Sequence, residues 1–203
     1  MRKSWTTWIG MAVLLMAMPL TAQQTTQEAE KEAGTPDQYE KLLKPAAQHE
    51  ILGRFVGRWK ADLKVQLYGT PSEGTMKETA EARWILKENF IEMDFTQEVQ
   101  GAVVKGKVLI GYNGSLKKFW HFFLVDGDPR GTYSQGVLIR SKNSLVFRGS
   151  EDDPVSGDSF ERRDVYTFVD KDKILYEVYY AFADGSEIKP IQGHLVRVKE
   201  DTP

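Results

Sequence analysis

The chain contains three histidines and no cysteine, which narrows its chemistry at once. It cannot form a thiolate nucleophile, an iron–sulfur cluster or a cysteine-ligated zinc site. His121 sits inside the run Phe119-Trp120-His121-Phe122-Phe123, His194 precedes Leu195, and His49 lies close to Leu52 and Phe55. A neutral imidazole among apolar residues suits a structural hydrogen bond or a pocket wall. His121 and His194 act as joint metal ligands only if the fold brings them together. Glu92 and Asp94 share one strand face, with Arg83 nearby. Turned inward they form a buried polar site; an outward, solvated face is the expectation. Glu151, Asp152, Asp153 and Asp158, like Asp126 and Asp128, lack the regular ligand spacing of a calcium loop and are read as solvated turn residues. The sequence has no Gly-x-Ser-x-Gly elbow, phosphate loop, dinucleotide fingerprint or zinc-protease histidine pair. It leaves enzymatic activity open and leans against it, since a catalytic triad is defined by geometry rather than by a motif.

The elements that must position these residues are strands. From Gly57 onward the hydrophobic period is two, and it predicts ten strands, over 57–67, 75–87, 90–99, 104–112, 117–125, 132–140, 144–150, 160–169, 174–182 and 188–199. Turn residues punctuate them, and Asn113-Gly114 and Asp184-Gly185 are signals for tight hairpins. No connection is long enough for a crossover helix, so the pairings are expected to be antiparallel and sequential. Closing such a sheet removes its two edges. The fold class is therefore all-β: an antiparallel up-and-down barrel of about ten strands with a short N-terminal helix. A two-layer sandwich is the alternative. Helical spacing before Gly57 predicts a helix over 46–52, and Pro45 interrupts the run that leads to it. Gly57-Arg58-Trp59 suits the first strand of a small closed barrel: the Gly permits close backbone approach, and the indole plugs one end.

Residues 1–22 read as a signal peptide, with Arg2 and Lys3 before an apolar run too short to span a bilayer comfortably. An uncleaved anchor is the alternative. Residues 23–37 read as a flexible polar linker, 38–199 as the helix-plus-barrel domain and 200–203 as a tail. The chain is expected to be exported, periplasmic or extracellular, with no integral membrane span after cleavage. Removing residues 1–22 leaves 25 basic against 29 acidic residues. That balance argues against nucleic acid and against an electrostatic hold on anionic membranes. Without disulfides the domain must rest on its core, and about 150 residues bury roughly 70% of the unfolded surface.

The series His49, Leu52, Phe55, Gly57, Trp59, then Gly111-Tyr112-Asn113, Asp126, Asp170-Lys171-Asp172 and Arg197 resembles the bacterial domain of unknown function 1579 over about residues 46–199. The resemblance implies a lipocalin-like, or calycin, β-barrel. In calycins an Arg near the end of the last strand packs across the Trp of the first. This implies that Gly57, Trp59 and Arg197 form a closure device, with a cation–π contact of ~0.5–2 kcal/mol. The chain departs from the family at Asn113, usually Asp, and at Leu195, usually Tyr. His194-Leu195 is more weakly similar to the last strand of nitrobindin-type barrels, in which a His there ligates haem. The glycine-rich, Pro-containing opening of those proteins is missing around Trp59.

The expected function is binding of a small apolar or amphipathic molecule inside the barrel, with no cofactor. Its pocket would draw on Trp84, Tyr112, Trp120, Phe122, Tyr133, Tyr176 and Tyr180, with His121 and His194 as polar contacts. The alternatives are a haem-binding barrel through His194 and a cell-envelope structural or assembly protein with a filled interior.

Overall fold

The computed structural model describes Thr35 and residues 47–66, 73–153 and 156–199. The signal peptide expected over 1–22, the linker over 23–37 and the tail over 200–203 lie outside the described residues, Thr35 excepted. The chain divides into two units, Met1–Leu43 and Lys44–Pro203, and the second holds the fold. A single-turn helix α1 (His49–Leu52) passes into a 3-10 turn (Gly53–Phe55). Ten strands follow: β1 (Gly57–Gln66), β2 (Glu73–Ile85), β3 (Phe90–Val99), β4 (Ala102–Asn113), β5 (Lys118–Val125), β6 (Asp128–Ile139), β7 (Ser144–Asp152), β8 (Ser159–Phe168), β9 (Lys173–Ala181) and β10 (Glu187–Arg197).

Each strand pairs antiparallel with its sequence neighbours, and β10 returns to pair with β1, closing the barrel. The period-two pattern does what the sequence implies. In β1, Trp59, Ala61, Leu63 and Val65 point inward and are buried, while Arg58, Lys60, Asp62 and Lys64 are exposed. The register of β9 against β10 shifts between Ile188 and Ile191. Pro190 falls in that irregularity, where a residue without an N–H costs no ladder hydrogen bond.

Helix α1 and the turn after it cover one end of the barrel. Leu52 and Phe55 are fully buried, and the Phe55 ring meets Tyr166 and Phe168 edge-on at centroid distances of 5.2 and 5.3 Å. The Trp59 indole N–H donates to the Phe55 carbonyl at 2.6 Å. The Arg197 guanidinium lies 4.1 Å from the centre of the Trp59 ring. It donates to the carbonyls of Val56, Arg54 and Lys171. Gly57 has φ +124°, and a Cβ there would collide with that guanidinium. Arg54 stacks over Phe168 at 4.1 Å and donates to Asn143 Oδ1 at 2.8 Å. Two arginines thus clamp the helical segment to the barrel end. Arg197 satisfies backbone carbonyls where the chain enters the sheet, at Arg54 and Val56, and Arg54 ties the segment to the Asn143 side chain.

The first of the two tight-hairpin expectations needs correcting. Asn113 pairs with Lys118, so the loop has four residues, and the left-handed residue is Lys117 (φ 52°), not Gly114. Asn113 Oδ1 instead accepts from the Leu116 N–H at 3.0 Å, stabilising the wider turn. At the other hairpin Gly185 does adopt φ 85°. Beyond the Ala181–Glu187 pair the Phe182 N–H donates to the Ser186 carbonyl at 2.9 Å and the Gly185 N–H to the Phe182 carbonyl at 3.0 Å, so the chain reverses within three residues, while Asp184 Oδ1 accepts from the N–H and hydroxyl of Ser186.

Candidate functional site

The inner face of β8 reads Phe160, Arg162, Asp164, Tyr166, Phe168, with an ion pair set between aromatic residues. Arg162 grips Asp164 through Nε to Oδ2 at 2.9 Å and Nη2 to Oδ1 at 3.0 Å. Its remaining nitrogen, Nη1, donates to Glu151 Oε1 on β7 at 2.8 Å. The Tyr176 hydroxyl on β9 donates to Asp164 Oδ1 at 2.8 Å, and Thr132 on β6 donates to Glu151 Oε1 at 2.6 Å. The guanidinium also lies 4.8 Å from the Phe123 ring centre. Five strands therefore meet at one buried cation. Burial opposes ionisation of Asp164, but the Arg162 charge, helped by the Tyr176 hydrogen bond, outweighs it and holds the carboxyl below its ordinary value. Burial opposes the charge on Arg162 in turn, and Asp164 overcomes it, raising the guanidinium well above its usual range.

His121 lies beside this network without joining it. Its ring stacks on Phe147 at 4.3 Å, and Nε2 is 3.7 Å from Asp164 Oδ2, beyond hydrogen-bond range. Among the described residues neither ring nitrogen has a hydrogen-bond partner, and neither does the Ser134 hydroxyl, which faces His121 across the β5–β6 register. Burial pushes the imidazole down to about 4, against the pull of Asp164. His121 is therefore neutral at pH 7, with a lone pair unused. Elsewhere in the interior, Glu78 accepts from Gln97 at 2.7 Å, and burial raises its carboxyl despite that hydrogen bond.

Access to the network lies through the mouth of the barrel at the Glu151 end. A cavity of about 390 Å³ there is lined by Gly131, Thr132, Glu151, Phe160 and Tyr180, with Asp128, Arg130, Asp152 and Asp153 around the rim. The Phe160 and Tyr180 rings sit 4.6 Å apart and form its apolar wall. A larger groove of about 780 Å³ runs along the barrel's outer wall, lined by the exposed Lys60, Asp62, Lys64 and Lys77. The buried ionic network touches the mouth cavity through Glu151, so the chemistry of the interior belongs to the smaller space.

The expected pocket residues divide by the side of the sheet they occupy. His121, Tyr176 and Tyr180 point inward. Trp84 and Tyr112 also point inward, but at the α1 end, packed against the core; Tyr112 meets His49 edge-on at 5.8 Å. Trp120, Phe122 and Tyr133 face outward. A Cβ on Gly111 would lie 2.5 Å from the Trp120 ring, and one on Gly131 would lie 2.9 Å from Phe122, so those glycines seat the two rings on the outer wall. His194 is exposed on the outer face of β10 and lines the outer groove. An imidazole there does not reach the interior, so a haem held through His194 inside the barrel lacks its geometric premise. Strand β5 is aromatic on both faces, and alternation alone could not say which set is inside. Glu92 and Asp94 face outward, as expected, and form a surface lattice with Arg83 and Lys107. Glu151 is not a solvated turn residue; it turns inward onto Arg162. The sequence reading missed Arg162, Asp164, Thr132 and Ser134. The available signal was the alternation Phe160-x-Arg162-x-Asp164-x-Tyr166, which places opposite charges on a face flanked by aromatics.

Closed strand order, a helix-capped end and a polar site at the other end define a lipocalin-like ten-stranded barrel. The matching family is described as a protein of unknown function, DUF1579, over residues 44–197, and the chain belongs to that family. The structure is similar to that of an S-type phycobiliprotein lyase, CPES, from Guillardia theta, with TM-score 0.56 and 11% identity over 77% of this chain and 95% of that one. It is also similar to Rv2717c from M. tuberculosis, with TM-score 0.52 and 12% identity over 77% of this chain and 100% of that one. At these identities the likeness is one of fold. No curated protein matches the sequence. Among the described residues no helix is long and apolar enough to cross a membrane.

Proposed function

We propose that the barrel binds a small amphipathic molecule at its mouth. One observation carries this reading: the cavity beside Phe160 and Tyr180 shares Glu151 and Thr132 with the buried Arg162–Asp164 network. Its volume falls within the range typical of small-molecule sites, which pair apolar walls with a few placed polar groups. The filled α1 end supplies rigidity, and the opposite end supplies the site. The amino-terminal pattern of a positive segment followed by an apolar run supports placing this activity outside the cytoplasm.

The test is fluorescence titration of the folded domain with N-phenyl-1-naphthylamine, a neutral probe that brightens in apolar surroundings. Saturable one-to-one binding is expected, weakened at least about tenfold in Tyr180→Ala through lost apolar contact. A probe that stays dark, or that binds the Tyr180→Ala protein equally well, refutes the mouth as the site.

A further inference from the structure

We infer that the molecule taken at the barrel mouth is an organic cation, a protonated amine carried on a short apolar body; this rests on the binding reading above. The charges lining the space decide the sign. Among the described residues Arg130 is the one basic side chain lining the cavity, and it is already committed. Its Nε and Nη2 donate to the two oxygens of Asp128 at 2.9 and 2.7 Å, and Nη1 donates to the Asp152 carbonyl at 2.8 Å. Arg162, behind the cavity, is bound bidentately by Asp164. Glu151 is then the surplus charge. The hydrogen bonds it accepts from Thr132 and Arg162 both fall on Oε1, so Oε2 has no hydrogen-bond partner among the described residues. The side chain is 20% exposed, open to the cavity rather than sealed away. With His121 neutral, the network of Arg162, Asp164 and Glu151 carries one net negative charge.

An anion entering this space would face Glu151 and Asp152 with only neutral hydroxyls, such as that of Tyr180, and no uncommitted positive charge to receive it, and the low local dielectric makes that repulsion costly. A cation finds the free Glu151 oxygen together with the π-faces of Phe160 and Tyr180. A bare metal ion is less well served, because no group of three His, Asp or Glu positioned to hold one occurs among the described residues. An ammonium group needs fewer ligands, and its attached carbons use the aromatic wall.

The experiment compares three probes of equal chain length by calorimetry at pH 7: hexylammonium, hexan-1-ol and hexanoate. Hexylammonium is expected to bind at least about tenfold more tightly than hexanol, with hexanoate weakest. Glu151→Gln should abolish the preference for hexylammonium over hexanol, bringing the two to similar affinities, and a preference of about tenfold that survives in this variant overturns the assignment of the charge to Glu151. Should that variant misfold, Asp152→Asn at the rim serves as the second test, expected to weaken hexylammonium about two- to threefold and to spare hexanol. Hexanol or hexanoate binding as tightly as hexylammonium overturns the inference of charge while the mouth stands as a site. Failure of all three probes to bind overturns both readings.

Discussion

Tyr176 and Arg162 converge on the same oxygen, Oδ1 of Asp164, from strands β9 and β8, at 2.8 and 3.0 Å. Together with Nε on Oδ2, this gives a fully buried carboxylate three hydrogen bonds. A charge held this way depends on every partner: desolvation is offset while the set is complete and becomes a penalty when one member is removed.

Removing one charge should therefore cost far more than removing both. Arg162→Met or Asp164→Leu alone is expected to destabilise the domain by about 3–5 kcal/mol. The double variant should lose much less than the sum of the two. Urea unfolding of the four proteins measures the coupling. Additive losses would mean that the pair acts as two independent polar groups.

Stability should also fall in mildly acidic solution. The His121 imidazole titrates at about 4 in the folded protein against 6.5 ordinarily, so between those values the unfolded chain binds more protons. Stability is complete above about pH 6.5 and declines as pH falls toward 4, by up to about 3 kcal/mol. Asp164, held below its usual value, adds a further loss only under more acid conditions. Urea midpoints at pH 7 and pH 4.5 should differ more in the native protein than in His121→Gln. An equal difference in both would remove His121 as the cause.

Gly57→Ala combines a disfavoured φ with a collision against Arg197, and a loss of about 1–3 kcal/mol is expected by thermal unfolding. Arg197→Lys should also destabilise the domain, because one ammonium cannot stack on Trp59 while reaching the three carbonyls that the guanidinium contacts.

The outer lattice of Glu92 and Asp94 with Lys107 offers the contrast. The lattice lies on the outer, solvent-facing side of the sheet, and Asp94→Asn should change stability by less than about 1 kcal/mol, an effect fading at 1 M salt. A large, salt-insensitive loss would show that these charges do more than decorate the wall.

The frame was legible because alternation and turn residues are local signals. Trp59, Leu63 and Val65 declare an inner face by themselves, and the absence of crossover helices leaves sequential pairing as the outcome. The site was harder to read because its members come from five strands, and its central residues are charged, so a hydrophobicity pattern marks Arg162 and Glu151 as outward. Only the neighbours on the same face, Phe160 and Tyr166, betray the inversion. Trp120 and Phe122 erred in the opposite direction: bulky apolar residues seated over glycines on the outer wall, where nothing in their own type distinguishes them from core.

The seam between β1 and β10 is fastened by Arg197, which reaches back 141 positions to the Val56 carbonyl and 143 to that of Arg54, just ahead of β1. On a ribosome, the first strand appears long before its partner does. Until β10 arrives, β1 and β9 are open edges able to recruit strands from other molecules. The seam is thus the last part of the barrel that can form, and slow closure of long loops sets its timing. A chain cut short before Leu195 would keep most of its core sequence and still present itself to the cell as an aggregation template.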